Sequence, residues 1–305
     1  MEYLKDIMSS QDYEVYYKTS KPQTDSPLHY HDYLEIYYHK YGACDYIIDS
    51  RIYTLQQGDI VMIRRQKLHK AVVKDLTSEY KRYVVWMTNE FMEFLIPNEE
   101  YRKVLLNREE SAELLRLPSM DSQKIERILE NLAEEMNLAE EMEQDDELSR
   151  DLRENFLREI LLLLCKYSKN SFSIRQVEPR QDPVIKEVME YLDRNVLERI
   201  TLDDVANCFY MNKFHLMRKF KQHTQMTLME YLKKKRLMIA RNLIAEGEPI
   251  QTIYRRCGFE DYTNFYRAFK SIYAMSPREY KQYMQAHNYN VLTLRPDGGG
   301  NQEEH

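Results

Sequence analysis

The apolar residues of this chain follow two different periods. Over residues 1–90 they come in short runs rich in Tyr, Ile and Val, broken at Tyr41-Gly42, Asp49-Ser50 and Gln57-Gly58-Asp59. Runs this short, separated by turn-forming residues, predict the strands of a small sandwich or barrel. From residue 121 the spacing changes to three and four. Ile125, Ile128, Leu129, Leu132 and Met136 mark one helical stripe, and Leu152, Phe156, Leu157, Ile160, Leu161 and Leu164 mark the next, with the acidic run Glu140–Glu147 between them. The pattern lapses over FSIRQVEPRQDP (172–183), which carries two prolines, and resumes as short helices to residue 286. The tail from Asn288, ending in RPDGGGNQEEH, is expected to be disordered. The reading is therefore α+β with two domains: 1–120 a β-domain, 121–171 a helical segment, 172–183 a linker, 184–287 an all-α domain and 288–305 a tail.

Local polar residues punctuate the helical half. Thr201 with Asp204, Thr227 with Glu230, and Ser276-Pro277 with Glu279 each have the spacing of a capping box or a close variant. A longer helix, about 227–245, separates two groups of shorter ones. Those groups repeat at an offset of 49 residues: Met217-Arg218-Lys219-Phe220-Lys221 precedes Tyr231, and Tyr266-Arg267-Ala268-Phe269-Lys270 precedes Tyr280. The shared Arg-x-Phe-Lys turns Phe inward and lays Arg and Lys on one exposed stripe. A short helix and a turn precede each copy, which is a helix-turn-helix pattern made twice.

Composition narrows the function. The 305 residues suit about two domains. The net charge of −6 is unevenly spread. Residues 182–287 hold 18 basic and 13 acidic side chains, a net of +5, whereas 121–160 hold 5 and 14, a net of −9. A basic segment within an acidic chain is the footprint of a nucleic-acid contact. Of 7 glycines, three lie in the tail and the others (Gly42, Gly58, Gly247, Gly258) are isolated, which excludes glycine-rich phosphate loops. The four cysteines are scattered without a C-x-x-C, against structural zinc and disulfides. The start MEYLKDIMSS has no apolar leader, and the longest apolar run, Ile160 to Cys165, is too short for a membrane span. A cytoplasmic protein with no membrane contact is expected.

The helical half resembles the DNA-binding domain of AraC/XylS-type transcription regulators. The resemblance covers about 183–284 and rests on Ala206, Leu216-x-Arg218-x-Phe220-Lys221, Tyr231, Arg236-x3-Ala240-x2-Leu243-Ile244, Ile253, Gly258-Phe259, Phe265-x-Arg267-x-Phe269-Lys270 and Ser276-Pro277-x2-Tyr280. It implies two recognition helices, 212–222 and 261–271, held about one duplex turn (about 34 Å) apart by the long helix, entering successive major grooves. Outward positions expected at DNA are Asn212, Lys213, Phe214, Met217, Arg218 and Lys221 in the first, and Tyr262, Thr263, Asn264, Arg267 and Lys270 in the second. Arg218 and Arg267 match the family's base-reading arginines. Asn264 suits adenine, Phe214 and Met217 suit thymine methyls, and Lys221 and Lys270 suit phosphates. Five positions depart from the family pattern, with Asn212 standing in place of the usual N-cap serine. Tyr210, Gln225 and Ala274 replace turn glycines, and Tyr254 replaces a small Ala and is expected to crowd its neighbours.

In the β half, His29, His31, Tyr33, Glu35, Tyr37 and His39 share one face at period two, with Leu34, Ile36 and Tyr38 on the other. His29-x-His31-x3-Glu35 with distant His69 resembles the cupin metal motif and also the cupin-like effector arm of AraC-type regulators, so a cupin-like barrel is expected. Three readings of the row stay open: an organic pocket using His29, His31, Glu35, Tyr37, His69 and Trp86, where Trp86 would stack on a sugar-like ring; a metal held by His29, His31, Glu35 and His69; or a structural hydrogen-bonded row. The leading expectation assigns no metal or other cofactor. The reading is a DNA-binding regulator, not an enzyme, answering to a small-molecule effector. The resemblance implies a homodimer formed by the 121–171 helices, with Phe156, Leu157, Ile160, Leu161 and Leu164 as its surface, and RNA polymerase as partner if the protein activates. The alternatives are a metal-dependent cupin dioxygenase or isomerase, and a regulator without a ligand.

Overall fold

The structure, a computed structural model, describes residues 8, 10, 12–20, 28–75, 77–106, 113–141, 146–169 and 177–286. Expectations placed on 142–145, on 172–176 and on the tail from 288 lie outside these residues. The chain forms two compact units. One contains the described residues up to Glu187 together with Lys219–Met226; the other contains Val188–Arg218 and the described residues from Thr227 onward.

In the first unit, seven strands follow one another: β1 (Tyr13–Ser20), β2 (Leu34–Tyr41), β3 (Cys44–Ile48), β4 (Arg51–Thr54), β5 (Ile60–Ile63), β6 (His69–Val73) and β7 (Tyr80–Met87). After them come α1 (Asn89–Leu95), α2 (Glu99–Leu106), the two-residue β8 (Leu114–Leu115), α3 (Ser119–Glu141) and α4 (Glu147–Lys169). The strands make a five-stranded sheet, β1-β7-β2-β5-β8, and a three-stranded sheet, β4-β3-β6. The β-rich architecture is the expected one, but among the described residues it takes the form of two sheets rather than a closed barrel.

Period-two alternation sorts the side chains of β2. Leu34, Ile36 and Tyr38 join the core shared with α1–α4, while Tyr33 and Tyr37 join the core shared with Tyr46, Ile48 and Tyr53 of the small sheet. The large sheet is thus covered on both faces. Tyr38 reaches α3, bonding Ser122 Oγ (3.1 Å) and Glu126 Oε2 (3.0 Å). Gly58 at φ +87° lies so close that an added Cβ would sit 2.3 Å from Ser122 Oγ. The α1 and α2 helices were not among the expected elements. Thr88, whose Oγ1 accepts from Phe91 N–H, caps α1.

The expected dimer stripe needs correction. Leu157, Ile160, Leu161 and Leu164 are buried in the chain's own core, with Phe156 packed against it. α4 carries apolar residues on more than one side. The exposed ones are Leu148 (70%), Leu152 (40%) and Leu162 (41%).

The helical elements are α5 (Pro183–Arg194), α6 (Leu202–Cys208), α7 (Lys213–Thr224), α8 (Leu228–Ala245), α9 (Ile250–Arg256), α10 (Tyr262–Tyr273) and α11 (Pro277–Ala286). Full capping boxes close at Thr201/Asp204 and Thr227/Glu230, and Ser276/Glu279 makes the same reciprocal pair of bonds. In the lysine run of α8, Lys235 pairs with Asp193 (3.1 Å). Arg236 donates to the carbonyls of Val196 (2.8 Å) and Glu198 (2.6 Å), so it fastens α8 to the α5–α6 turn. Tyr210 (φ 52°), Gln225 (φ 61°) and Ala274 (φ 56°) all adopt the left-handed conformation that glycine takes freely. Tyr254 does not crowd its neighbours. It is half-exposed, edge-on to Tyr262 at 5.9 Å, and its hydroxyl accepts from Arg255 Nε (2.8 Å).

Candidate functional site

The β-unit brings His29, His31, Glu35 and His69 together, one ligating atom from each lying within 4.8 Å of the others. Glu35 is the second residue of β2 and His69 opens β6, while His29 bridges His69 by paired backbone bonds (3.1 and 2.9 Å). Glu35 is the hub. Its Oε2 lies 3.1 Å from His31 Nε2, 3.7 Å from His69 Nε2 and 2.7 Å from the Trp86 Nε1–H that donates to it; its Oε1 accepts from Tyr46 O–H at 3.0 Å. Burial alone would push the Glu35 carboxyl up. The hydrogen bond to His31 and the nearby His69 and His31 imidazoles outweigh it and hold the group well below the usual carboxylate range.

The imidazoles are oriented from behind. His31 Nδ1 faces the Tyr33 carbonyl at 3.0 Å, and His69 Nδ1 faces the Lys67 carbonyl at 2.7 Å. A carbonyl can only accept, so each Nδ1 carries the proton and each Nε2 points inward. In a neutral ring that Nε2 is a lone pair, and here it meets a carboxylate, which is also an acceptor. A metal ion among them would take up both the ring lone pairs and the carboxylate. His69 Nε2 is buried without a hydrogen-bond partner among the described residues. Three imidazoles and one carboxylate, with the His31 and His69 rings oriented by backbone carbonyls, fit a divalent first-row transition metal. Such an ion would be held by His29, His31, Glu35 and His69 and would supply a compact double charge among them.

Trp86 enters this site through Nε1, not through a free ring face. Tyr16 (5.2 Å, edge-on) and Tyr33 (5.1 Å) pack on its indole, and the Lys18 ammonium lies 5.0 Å from it. The expected stacking platform is therefore covered. Tyr37 falls in an adjoining row instead of among the four donors. Its hydroxyl meets that of Tyr80 and lies 3.4 Å from His39 Nδ1, and its ring packs on Tyr46 at 4.8 Å. Burial raises the Tyr37, Tyr46 and Tyr80 phenols well above their ordinary value and pushes the Cys44 thiol up to about 11. Tyr46 is the site residue that sequence reasoning missed. It lies on β3, outside the histidine-rich segment, and only the strand pairing delivers it.

Of the expected DNA-facing residues, Asn212 just before α7 and Phe214, Arg218 and Lys221 on it are exposed, with Lys213 and Met217 half-buried; α10 exposes Tyr262, Thr263, Asn264, Arg267 and Lys270. Phe220 and Phe269 are buried, as Arg-x-Phe-Lys requires, and so is Phe265. Some of these side chains have other work. Asn212 Oδ1 accepts from the Phe214 and His215 amides (2.9 and 3.4 Å), Lys213 pairs with Asp203 (2.9 Å), and Asn264 Nδ2 donates to Asp261 (2.5 Å). Arg267 has no hydrogen bond or ion pair among the described residues. Arg218 Nη2 lies 3.3 Å from Nδ1 of His215, an exposed neighbour in the first turn of α7 that the sequence pattern did not single out.

A β-rich ligand-binding unit joined to paired, basic helix-turn-helix elements defines an effector-responsive, DNA-binding transcription regulator, not an enzyme. Comparison with known proteins agrees. Residues 13–161 match the model of the AraC-like ligand binding domain, and residues 205–283 match that of a helix-turn-helix domain. The chain belongs to the AraC-type regulators. It is 26% identical over 265 residues to the transcriptional activator RhaS of Enterobacter sp. (strain 638), covering 86% of this chain and 89% of that one. It is 25% identical, with the same coverage, to RhaS of Salmonella schwarzengrund (strain CVM19633). Among solved structures, fatty-acid-bound ToxT from Vibrio cholerae covers 90% of this chain and 96% of its own at 15% identity, but with a TM-score of 0.38 that likeness is too loose to bear on ligand or fold. No helix among the described residues is long and apolar enough to cross a membrane.

Proposed function

We propose that the protein is a cytoplasmic homodimeric activator that reads duplex DNA with α7 and α10 and senses a divalent metal ion at His29, His31, Glu35 and His69. The observation that carries the DNA reading is the pair of exposed arginines, Arg218 and Arg267, at equivalent places in the two repeats. They support bidentate contacts to guanine, with Lys221 and Lys270 on phosphates. The activating role, with RNA polymerase as partner, rests on likeness to relatives named as activators. The dimer is supported by the exposed leucines of α4: Leu148, Leu152 and Leu162 leave an apolar strip that a second copy would cover. Selection of duplexes from a random pool by the full chain supplies a binding site. Gel shift with that duplex must then weaken in both arginine variants, and no weakening in either overturns the assignment. Light scattering must show a dimer that Leu152→Asp with Leu162→Asp converts to a monomer; a wild-type monomer at every working concentration removes the dimer.

The metal reading is favoured over an organic effector by the buried, unpartnered His69 Nε2 and by the covered face of Trp86. Elemental analysis of untagged protein, followed by titration of stripped protein with Mn, Fe, Ni and Zn, tests it. About one ion per chain is expected, lost in the His31→Ala, His69→Ala double variant. Absence of binding, with a thermal shift from a sugar instead, returns the site to the organic reading.

A further inference from the structure

β4 is the outer strand of the small sheet, yet its free side is occupied. Ile52 and Arg180 exchange both backbone bonds, Ile52 N–H to Arg180 O at 3.0 Å and Arg180 N–H to Ile52 O at 2.9 Å. Side chains reinforce the pairing. Arg180 Nη2 lies 2.5 Å from Asp45 Oδ2 and 3.3 Å from Thr54 Oγ1, and Gln181 Nε2 donates to Ser50 Oγ at 2.6 Å. Asp45 is also held by Lys74 (2.7 Å) and Thr54 (2.7 Å), and Val177 packs against the intersheet core. The next residue, Asp182, does two things at once. Its Oδ1 accepts from the amides of Val184 and Ile185, starting α5, and its Oδ2 lies 2.9 Å from Lys219 Nζ and 3.7 Å from His223 Nε2, both on α7.

We infer that Arg180–Asp182 is a strap docked on the open edge of β4, and that through it the β-unit controls the first recognition helix. Three consecutive residues run from a backbone ladder on β4 to an ion pair on α7, beside Arg218 and Lys221. Such a tether has almost no slack, because three extended residues span at most about 10 Å. The inner end of the path is equally short. Tyr46 on β3 donates to Glu35, its neighbour Asp45 on the same strand grips Arg180, and Asp45 and Tyr46 pair across the ladder with Thr54 and Tyr53 of β4. A change of occupancy that moves Glu35 therefore shifts the strand holding the strap. The strap is independent of what occupies the site; only its trigger rests on the effector site proposed above.

The test is hydrogen exchange on the full chain as purified, read at the Ile52 and Arg180 amides. Both are expected to exchange at least tenfold more slowly than a free backbone amide. Asp45→Asn and Arg180→Ala should each speed both at least fivefold, with Trp86 emission unchanged as the check on folding. Arg180 is largely exposed, so Arg180→Ala serves if Asp45→Asn fails to fold. In gel shift with the duplex selected by the wild type, the same variants should change affinity at least threefold, although neither residue faces DNA. Tyr46→Phe should speed strap exchange in metal-free protein. Exchange unchanged by both strap variants means there is no strap. Exchange raised with affinity unchanged means a strap without control of α7. Exchange and affinity altered as expected but insensitive to Tyr46→Phe removes the link to the effector site. Failure of the metal titration alone leaves all three readouts standing.

Discussion

Removing the carboxylate of Glu35 is the sharpest test of the buried network. In Glu35→Ala, the indole N–H of Trp86 and the hydroxyl of Tyr46 lose the acceptors they meet at 2.7 and 3.0 Å. A buried donor left without an acceptor costs about 1–3 kcal/mol, and bonds to a charged group lie at the upper end. Two such donors give about 2–6 kcal/mol, centred near 4 kcal/mol. For a unit of this size that lowers its Tm by about 8–16 °C. Glu35→Gln, whose single amide oxygen can still accept from one of the two donors, should lose about half as much. Trp86 is the only tryptophan in the chain, so its emission follows unfolding of this unit alone. Urea titrations monitored at Trp86, on chelator-treated protein so that metal loss does not contribute, give the difference directly. A loss below about 1 kcal/mol for Glu35→Ala, with emission unshifted, would refute the claim that these donors depend on Glu35.

Other outcomes follow from the same structure. Arg218→Ala and Arg267→Ala should each weaken binding to the selected duplex by about 1–3 kcal/mol, roughly 5- to 150-fold, in gel shift. Lys221→Ala and Lys270→Ala should weaken all duplexes alike and flatten the salt dependence by about one ion each. Gly58→Ala should destabilise the β-unit by about 1–3 kcal/mol in the Trp86 titration, because it adds a Cβ at positive φ against Ser122. Acid should destabilise this unit in two stages. His39, held neutral chiefly by burial, has a lowered pKa, so the unfolded chain binds the extra proton as pH falls below about 6.5 and stability starts to drop there. Asp45 is opposed by burial but held down by Lys74 and Thr54, so its contribution is present above about 3.8 and lost below. A flat stability profile between pH 7 and 5 would contradict the assignment for His39.

What was legible in the sequence was whatever is decided within a few residues. The capping pairs at Thr201, Thr227 and Ser276 fix helix starts because both partners lie three positions apart. The split of β2 into Leu34-Ile36-Tyr38 and Tyr33-Glu35-Tyr37 faces follows from pleat geometry alone. The glycine-replacing turn residues Tyr210, Gln225 and Ala274 were located by comparison with the family pattern, and their φ values show what those positions demand. What was hidden depends on distant pairing. Tyr46 reaches Glu35, and Arg180 reaches Asp45, only through the packing of separate strands. The α4 stripe was assigned to a second copy because helical periodicity marks apolar faces without saying what covers them. The α1 helix was missed, although Thr88 three residues before buried Phe91 was a usable start signal.

The three left-handed turn residues have a practical consequence. Tyr210 is 98% exposed, and Gln225 and Ala274 are exposed as well, so their side chains contribute little packing to offset the backbone conformation they occupy. Glycine at each would relieve about 1–2 kcal/mol of steric conflict and give back part of it as unfolded-chain freedom, a net gain of about 0.5–1 kcal/mol per turn. Positions this far apart should combine nearly additively. A hardier form of this regulator, suited to use as a laboratory gene switch at elevated temperature, is therefore within reach of three edits outside every groove-facing arginine and lysine.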